Sequence, residues 1–191
     1  MNLAEVVNAA PRYHRRAFAG LVIAGSGAYI LWARAKPAGP VIPGRVVIAE
    51  FDSRGNRLGS RELATVEKSD DEWRKLLPAD SYSVTRHADT ELAGTGRYDH
   101  FYEDGIYRCI CCDTAVFASS AKYASGTGWP AFTGPIAKEN VVESADAEFG
   151  LRRTEVKCAR CWAHLGHVFD DGPPPGGLRY CINSVALRFV A

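Results

Sequence analysis

Two Cys-x-x-Cys pairs, Cys109/Cys112 and Cys158/Cys161, constrain this chain more than any other feature. Each pair has the spacing of a knuckle that offers two thiolates to one tetrahedral Zn²⁺. The second pair follows much further along the chain than in a compact zinc finger, so one shared ion would clamp two distant loops. All four positions would then be sulfur, with none left for water, which is a structural site. Disulfides have the same raw material, and an exported protein forms them. A thioredoxin-like redox pair is the third option, but neither pair sits at the start of a helix after a strand, where that motif works. Zinc held by Cys109, Cys112, Cys158 and Cys161 is the expected arrangement.

The segments around these loops read as strands. "RVVIAEFDSRGNRLGSRELATVEKS" alternates as two strands about a turn between Asp52 and Gly59. Ser69 is placed to cap a short helix through "DDEWRKLL", with Glu72 completing a capping box and Pro78 closing it. A second helical turn is expected in "ADSYSVTRHA". From Gly105 onward "IYRCI", "TAVF", "VVESAD", "FGLRRTEVKC", "HLGHVF" and "GLRYCINSVALRFV" alternate with Gly/Pro turns. Such spacing predicts a mainly β protein of antiparallel sheets with short N-terminal helices. The 191 residues suffice for one domain with a real core. A net charge of +1, with both signs interspersed, argues against a nucleic-acid footprint.

The first forty residues differ from the rest. Arg12, His14, Arg15 and Arg16 precede an uncharged run from Ala17 to Ala33, and Ala33-Arg34-Ala35 has a small-x-small pattern. This is the outline of a secretory signal. The Arg15-Arg16 pair before Ala17-Phe18 is similar to a bacterial twin-arginine signal. Cleavage after Ala35, retention as a membrane anchor and a plain buried helix are the alternatives. The apolar run is slightly short of the roughly 20 residues a spanning helix needs. Residues 1–40 are thus expected to be an export signal or anchor plus linker, with 41–65 a hairpin extension ahead of the main domain, 66–191. Periplasmic or membrane-anchored placement follows from that expectation.

Two cysteines remain. Cys111 adjoins Cys112 and is expected to be a buried, incidental thiol. Cys181 lies between Arg179 and Asn183, and on a continuous strand these would share one face with Val185, Leu187 and Phe189. That face begins polar and ends apolar, as at the rim of a pocket. "SGTGWPAF" sets Trp129 on a Gly-rich loop, where it serves as core or lid. His164 and His167 in "AHLGHVFDDGPPPGG" stand three apart, which on a regular strand sends them to opposite faces. Gly166 allows a bulge or turn that would bring both rings to one side; on their own the pair reads as satisfied structural histidines.

Taken together, "CICCDTAVF", "KYASGTGWPAF" and "RTEVKCARCWAHLGHVFDDGPPPGGLRYCINSVALRF" resemble the methionine sulfoxide reductase family of type B, from about Val66 to Val190. The resemblance implies two antiparallel sheets, a zinc site away from the pocket and action on the R epimer of methionine sulfoxide. It implies Cys181 as nucleophile, and His164, His167, Asn183 and Trp129 as pocket residues. The chemistry fits: an indole offers the substrate methyl an apolar wall, and an imidazole donates a proton near neutral pH. A thiolate attacks the activated sulfur and ends as a sulfenic acid. Arg179 is expected to bind at the pocket and raise the thiolate fraction.

Two features depart from the family pattern. Thr127 stands where many members carry a resolving cysteine, so either Cys111 or an external thioredoxin-like reductant must act; the external route is the expected one. "TELAGTGRY" lacks the proline and phenylalanine that often follow the glutamate. Oxidised proteins are the expected substrates and a monomer the expected state. A zinc-ribbon interaction module and a Cys-x-x-Cys oxidoreductase are the competing functions; the first leaves Cys181, Trp129 and the histidines unexplained and lacks a basic stripe.

Overall fold

A computed structural model describes residues 44–146 and 153–191; the export and anchor expectations for residues 1–40 fall outside them. Strands β1 (Arg45–Phe51) and β2 (Arg57–Ala64) form an antiparallel hairpin whose turn is held by Asp52, which accepts from the backbone of Arg54 and Asn56. Helix α1 (Asp70–Leu76) opens on the expected capping box: the Ser69 amide donates to Glu72 at 2.8 Å, and the Glu72 amide returns a bond to the Ser69 hydroxyl. It stops before Pro78, and α2 (Ala79–His87) follows. Arg86 of α2 lies over the buried Trp73 ring of α1, 4.9 Å from its centroid, and so ties the two helices.

All later strands pair antiparallel. β5 (Lys122–Tyr123), β6 (Ala131–Phe132), β10 (Arg179–Ile182), β9 (His164–Phe169), β8 (Arg153–Cys158) and β7 (Val141–Asp146) make a six-stranded sheet in that order. β11 (Leu187–Val190), β3 (Ile106–Cys109) and β4 (Ala115–Ala118) make a three-stranded one. The mainly β class is as the sequence reads, with the hairpin as a further two-stranded sheet. Tyr107, Phe117, Phe132, Leu165, Ile182 and Leu187 are fully buried in the shared core. Phe117 stacks on Phe132 at 4.5 Å, and Tyr107 meets Phe132 edge-on at 5.1 Å.

The hairpin is fastened to this body by Asn140, whose side chain is wholly buried. Its amide accepts from Ala49 N and donates to the carbonyls of Ala49 and Ala115, so β1 and β4 are stitched by one side chain.

The segment 177–190 is not one strand, which corrects the reading of "GLRYCINSVALRFV". β10 ends at Ile182, a 3-10 turn covers Ser184–Ala186, and the chain then enters the other sheet as β11. The physical reason is Glu91. Its carboxylate accepts from the amides of Ser184 (2.6 Å) and Val185 (3.1 Å), which leave the ladder there. Leu187 is still buried and Phe189 still packs on the core, but from the neighbouring sheet.

Candidate active site

The two knuckles are local copies of one another. In each, the residue after the second cysteine, Asp113 (φ 63°) or Trp162 (φ 57°), is left-handed. Its amide donates to the first cysteine's carbonyl at 2.9 Å, and that cysteine's amide donates onward to Thr114 or Ala163. These turns aim four sulfurs inward, all within 4.8 Å of one another. Cys109 and Cys161 sulfurs are 3.6 Å apart, and those of Cys112 and Cys158 are 3.5 Å apart. A tetrahedron with Zn–S bonds of about 2.3 Å has sulfurs roughly 3.8 Å apart, whereas a disulfide needs about 2.05 Å. All six cysteines are free thiols. Hydrogen bonds with Cys111 and the other three ligands, together with burial, raise the Cys109 thiol well above its ordinary value. A divalent cation, which takes thiolates, relieves that crowding. The four residues therefore fit a metal.

Cys111 stays beside this cluster, its sulfur 3.4 Å from the Thr85 hydroxyl on α2. Cys181 sits on β10, directly across from His167 on β9 and Ala131 on β6. Side chains alternate along β10: Tyr180 and Ile182 are buried, while Arg179 and Cys181 face the half-open side. The His164 and His167 rings meet edge to face at 5.2 Å. The expected irregularity is present: the β8–β9 register slips after Val156, pairing Gly166 with Val156 and His164 with Lys157. The slip puts both imidazoles on the Cys181 side.

Gly166 permits this. Its φ is +157°, and a Cβ there would lie 2.1 Å from the Cys181 carbonyl oxygen and 2.9 Å from Ile182 Cα. Replacing Gly166 by alanine is expected to destabilise the fold by about 3 kcal/mol or more, because backbone, not a flexible side chain, must yield. Urea unfolding checks this, and a loss below about 1 kcal/mol would contradict the close packing of β9 on β10.

Trp129 is half-buried, and its indole nitrogen donates to the Glu91 carbonyl at 3.0 Å. The Glu91 amide donates to Asn183 Oδ1, and Asn183 Nδ2 donates to the Leu165 carbonyl. Asn183 therefore lies just beyond the end of β10 and is buried, not set at an open rim. It fixes the turn that follows the cysteine, with one Nδ2 hydrogen beyond the Leu165 bond. Glu91 is the residue the sequence reading passed over: one side chain and one backbone unit connect Trp129, Asn183 and the 3-10 turn. The signal was its place in "TELAG", far from every other motif.

Arg179 is held by a bidentate pair with Asp171, both bonds 2.8 Å, and stacks over Phe169. Burial pushes the Cys181 thiol above its ordinary value; the Arg179 charge and a hydrogen bond from Thr127 draw it partway back. Arg179 thus acts in the expected direction, but burial outweighs it. Thr127 itself bonds Ser125 at 2.8 Å, so the position of the missing resolving cysteine does reach Cys181.

A partly buried thiol beside an arginine and two histidines, together with a cluster of four cysteines that could hold a metal, is the arrangement of a thiol-based redox protein. Comparison with known proteins narrows this class. Residues 77–191 match the SelR domain. The chain is 56% identical over 126 residues to a peptide methionine sulfoxide reductase MsrB of Herminiimonas arsenicoxydans, covering 66% of this chain and 92% of that protein. It is 54% identical over 128 residues to the MsrB of Pseudomonas fluorescens Pf-5 (67% and 98%) and 52% over 125 residues to that of Pseudomonas syringae pv. syringae B728a (65% and 95%). The chain belongs to the SelR-domain family of peptide methionine sulfoxide reductases, MsrB.

Proposed function

We propose that this chain reduces the R epimer of methionine sulfoxide, in proteins and as the free amino acid, with Cys181 as nucleophile. Family membership supports sulfoxide reduction, and the observation that carries the residue assignment is the register of Cys181 opposite His167, with the His164 ring 5.2 Å beyond. An imidazolium gives a proton to the sulfoxide oxygen, and the Cys181 sulfur attacks the substrate sulfur. The protonated oxygen leaves as water as the Cys181–substrate S–S bond forms. Water then attacks the Cys181 sulfur, that S–S bond breaks, methionine leaves as the thioether, and Cys181 is left as a sulfenic acid. The balance is one thiol plus one sulfoxide to one sulfenic acid plus one thioether. Trp129 walls the methyl group. Arg179 steadies the thiolate, and Asn183 holds the turn behind it.

Regeneration takes two external thiols, which become a disulfide while the sulfenic oxygen leaves as water. A thioredoxin-like protein supplies them directly, because Thr127 brings no thiol to Cys181 and Cys111 is engaged with Thr85 beside the metal cluster. Cys109, Cys112, Cys158 and Cys161 hold a structural zinc that performs no chemical step. Residues 1–40 export the protein or anchor it facing the periplasm, 41–65 extend the catalytic domain at 66–191, and the enzyme works as a monomer. No helix among the described residues is long and apolar enough to cross a membrane.

The test is turnover of separate R and S epimers, free and in a peptide, with dithiothreitol. The R epimer alone is expected to be consumed. Preference for the S epimer, or oxidised enzyme trapped as a Cys111–Cys181 disulfide, would contradict the reading.

A further inference from the structure

Glu155 of β8 is built into the wall behind the histidines. Its Oε1 lies 2.8 Å from His164 Nδ1, and its Oε2 lies 2.6 Å from Lys157 Nζ. A carboxylate only accepts, so the ring nitrogen facing it must carry the hydrogen. Glu155 is held in that ionised form: burial would raise its pKa, but hydrogen bonds from His164 and Lys157 lower it overall. Glu155 already pairs with His167, and the register slip that follows sets His164 opposite Lys157, on the same side as Glu155. On the other side of the same imidazole, Nε2 is buried and has no hydrogen-bond partner among the described residues. His164 is only 2% exposed, and a buried nitrogen left unsatisfied is costly. Such an orphan needs a partner from outside the fold.

We propose that Glu155 is a positioning residue for His164. Its carboxylate fixes the proton on Nδ1 and leaves Nε2 as the ring atom that meets the bound sulfoxide or its water. In the neutral ring Nε2 accepts a hydrogen; in the charged ring it donates one, and the carboxylate balances the charge. Lys157, which also lies 6.0 Å from the Trp162 ring centroid, anchors the second carboxylate oxygen and stops Glu155 from rotating away. This inference rests on the reading of His164 as a pocket residue.

Glu155→Gln keeps the size of the side chain but lets its amide donate to Nδ1, so the tautomer with the proton on Nε2 becomes available. In ¹⁵N-edited NMR of the zinc-loaded full chain, neutral His164 is expected as the Nδ1–H form in the parent and shifted towards Nε2–H in E155Q. With the R sulfoxide, kcat is expected to fall about tenfold or more with KM little changed, as when a tautomer is lost, and Glu155→Asp should recover part of it. In a His164→Asn background E155Q should add nothing. An Nε2–H tautomer in the parent chain overturns the proposal whatever the variants do. So does an E155Q loss that persists in full without His164. Should H164N turn over like the parent, the catalytic reading of His164 fails; should H164N be impaired while E155Q is not, only Glu155's role fails.

Discussion

Cys181→Ser is expected to abolish sulfoxide reduction, by at least about a thousandfold, while leaving the fold and metal content unchanged. The argument does not rest on nucleophilicity alone. The reaction moves an oxygen and two electrons, and sulfur accepts the oxygen by rising one rung to a sulfenic acid. A serine oxygen making the same displacement would end as a hydroperoxide, which no methionine sulfoxide can drive. The fold should not notice the change: Cys181 is half-exposed, and its sulfur joins neither the thiol cluster nor the core. Steady-state assay with the R epimer, with circular dichroism as the folding control, measures this. Residual activity above about one per cent of the parent would contradict the assignment.

The second large effect is at the metal. Removing zinc with a chelator, or replacing Cys158 by serine, is expected to lower stability by about 4 kcal/mol or more, since an ion present at a thousand times its dissociation constant contributes about that much. For a chain of this size that is a fall of roughly 8–16 °C in Tm. The cluster clamps the β3–β4 loop to the β8–β9 loop, and Glu155 and His164 each stand three positions from a ligand. Loss of the clamp should therefore reach the pocket as well as the fold. Thermal unfolding before and after chelation, with zinc added back, checks it. An unchanged Tm on full removal of metal would mean the sulfurs merely share a buried corner.

Much of this was legible because local chemistry forced it. The Ser69–Glu72 capping box, the hairpin turn at Asp52 and the knuckle spacing are short-range patterns, and each formed as written. Gly166 could be read too, because two histidines three apart reach one side of a strand only through a bulge. The strand break after Ile182 was not legible. "CINSVALRF" alternates well enough for a continuous strand, and what ends it is a carboxylate 93 positions away, Glu91 bonding the amide of Ser184. Likewise Asn183 reads as a rim residue in sequence, yet Leu165 and Glu91 draw its amide into the interior. Glu155 shows the same limit: its contact with His164 exists only once the β8–β9 register has slipped. Long-range partners of this kind leave no periodic signature.

The most direct measurement mixes reduced enzyme with one equivalent of R sulfoxide in the absence of any thiol reductant, then traps sulfenic acid with a dimedone probe and maps the adduct by mass spectrometry. The expected result is one methionine released per enzyme and the adduct on Cys181 alone. Methionine released with the adduct on Cys111 or a knuckle cysteine, or with no adduct at all, would contradict oxygen transfer to Cys181.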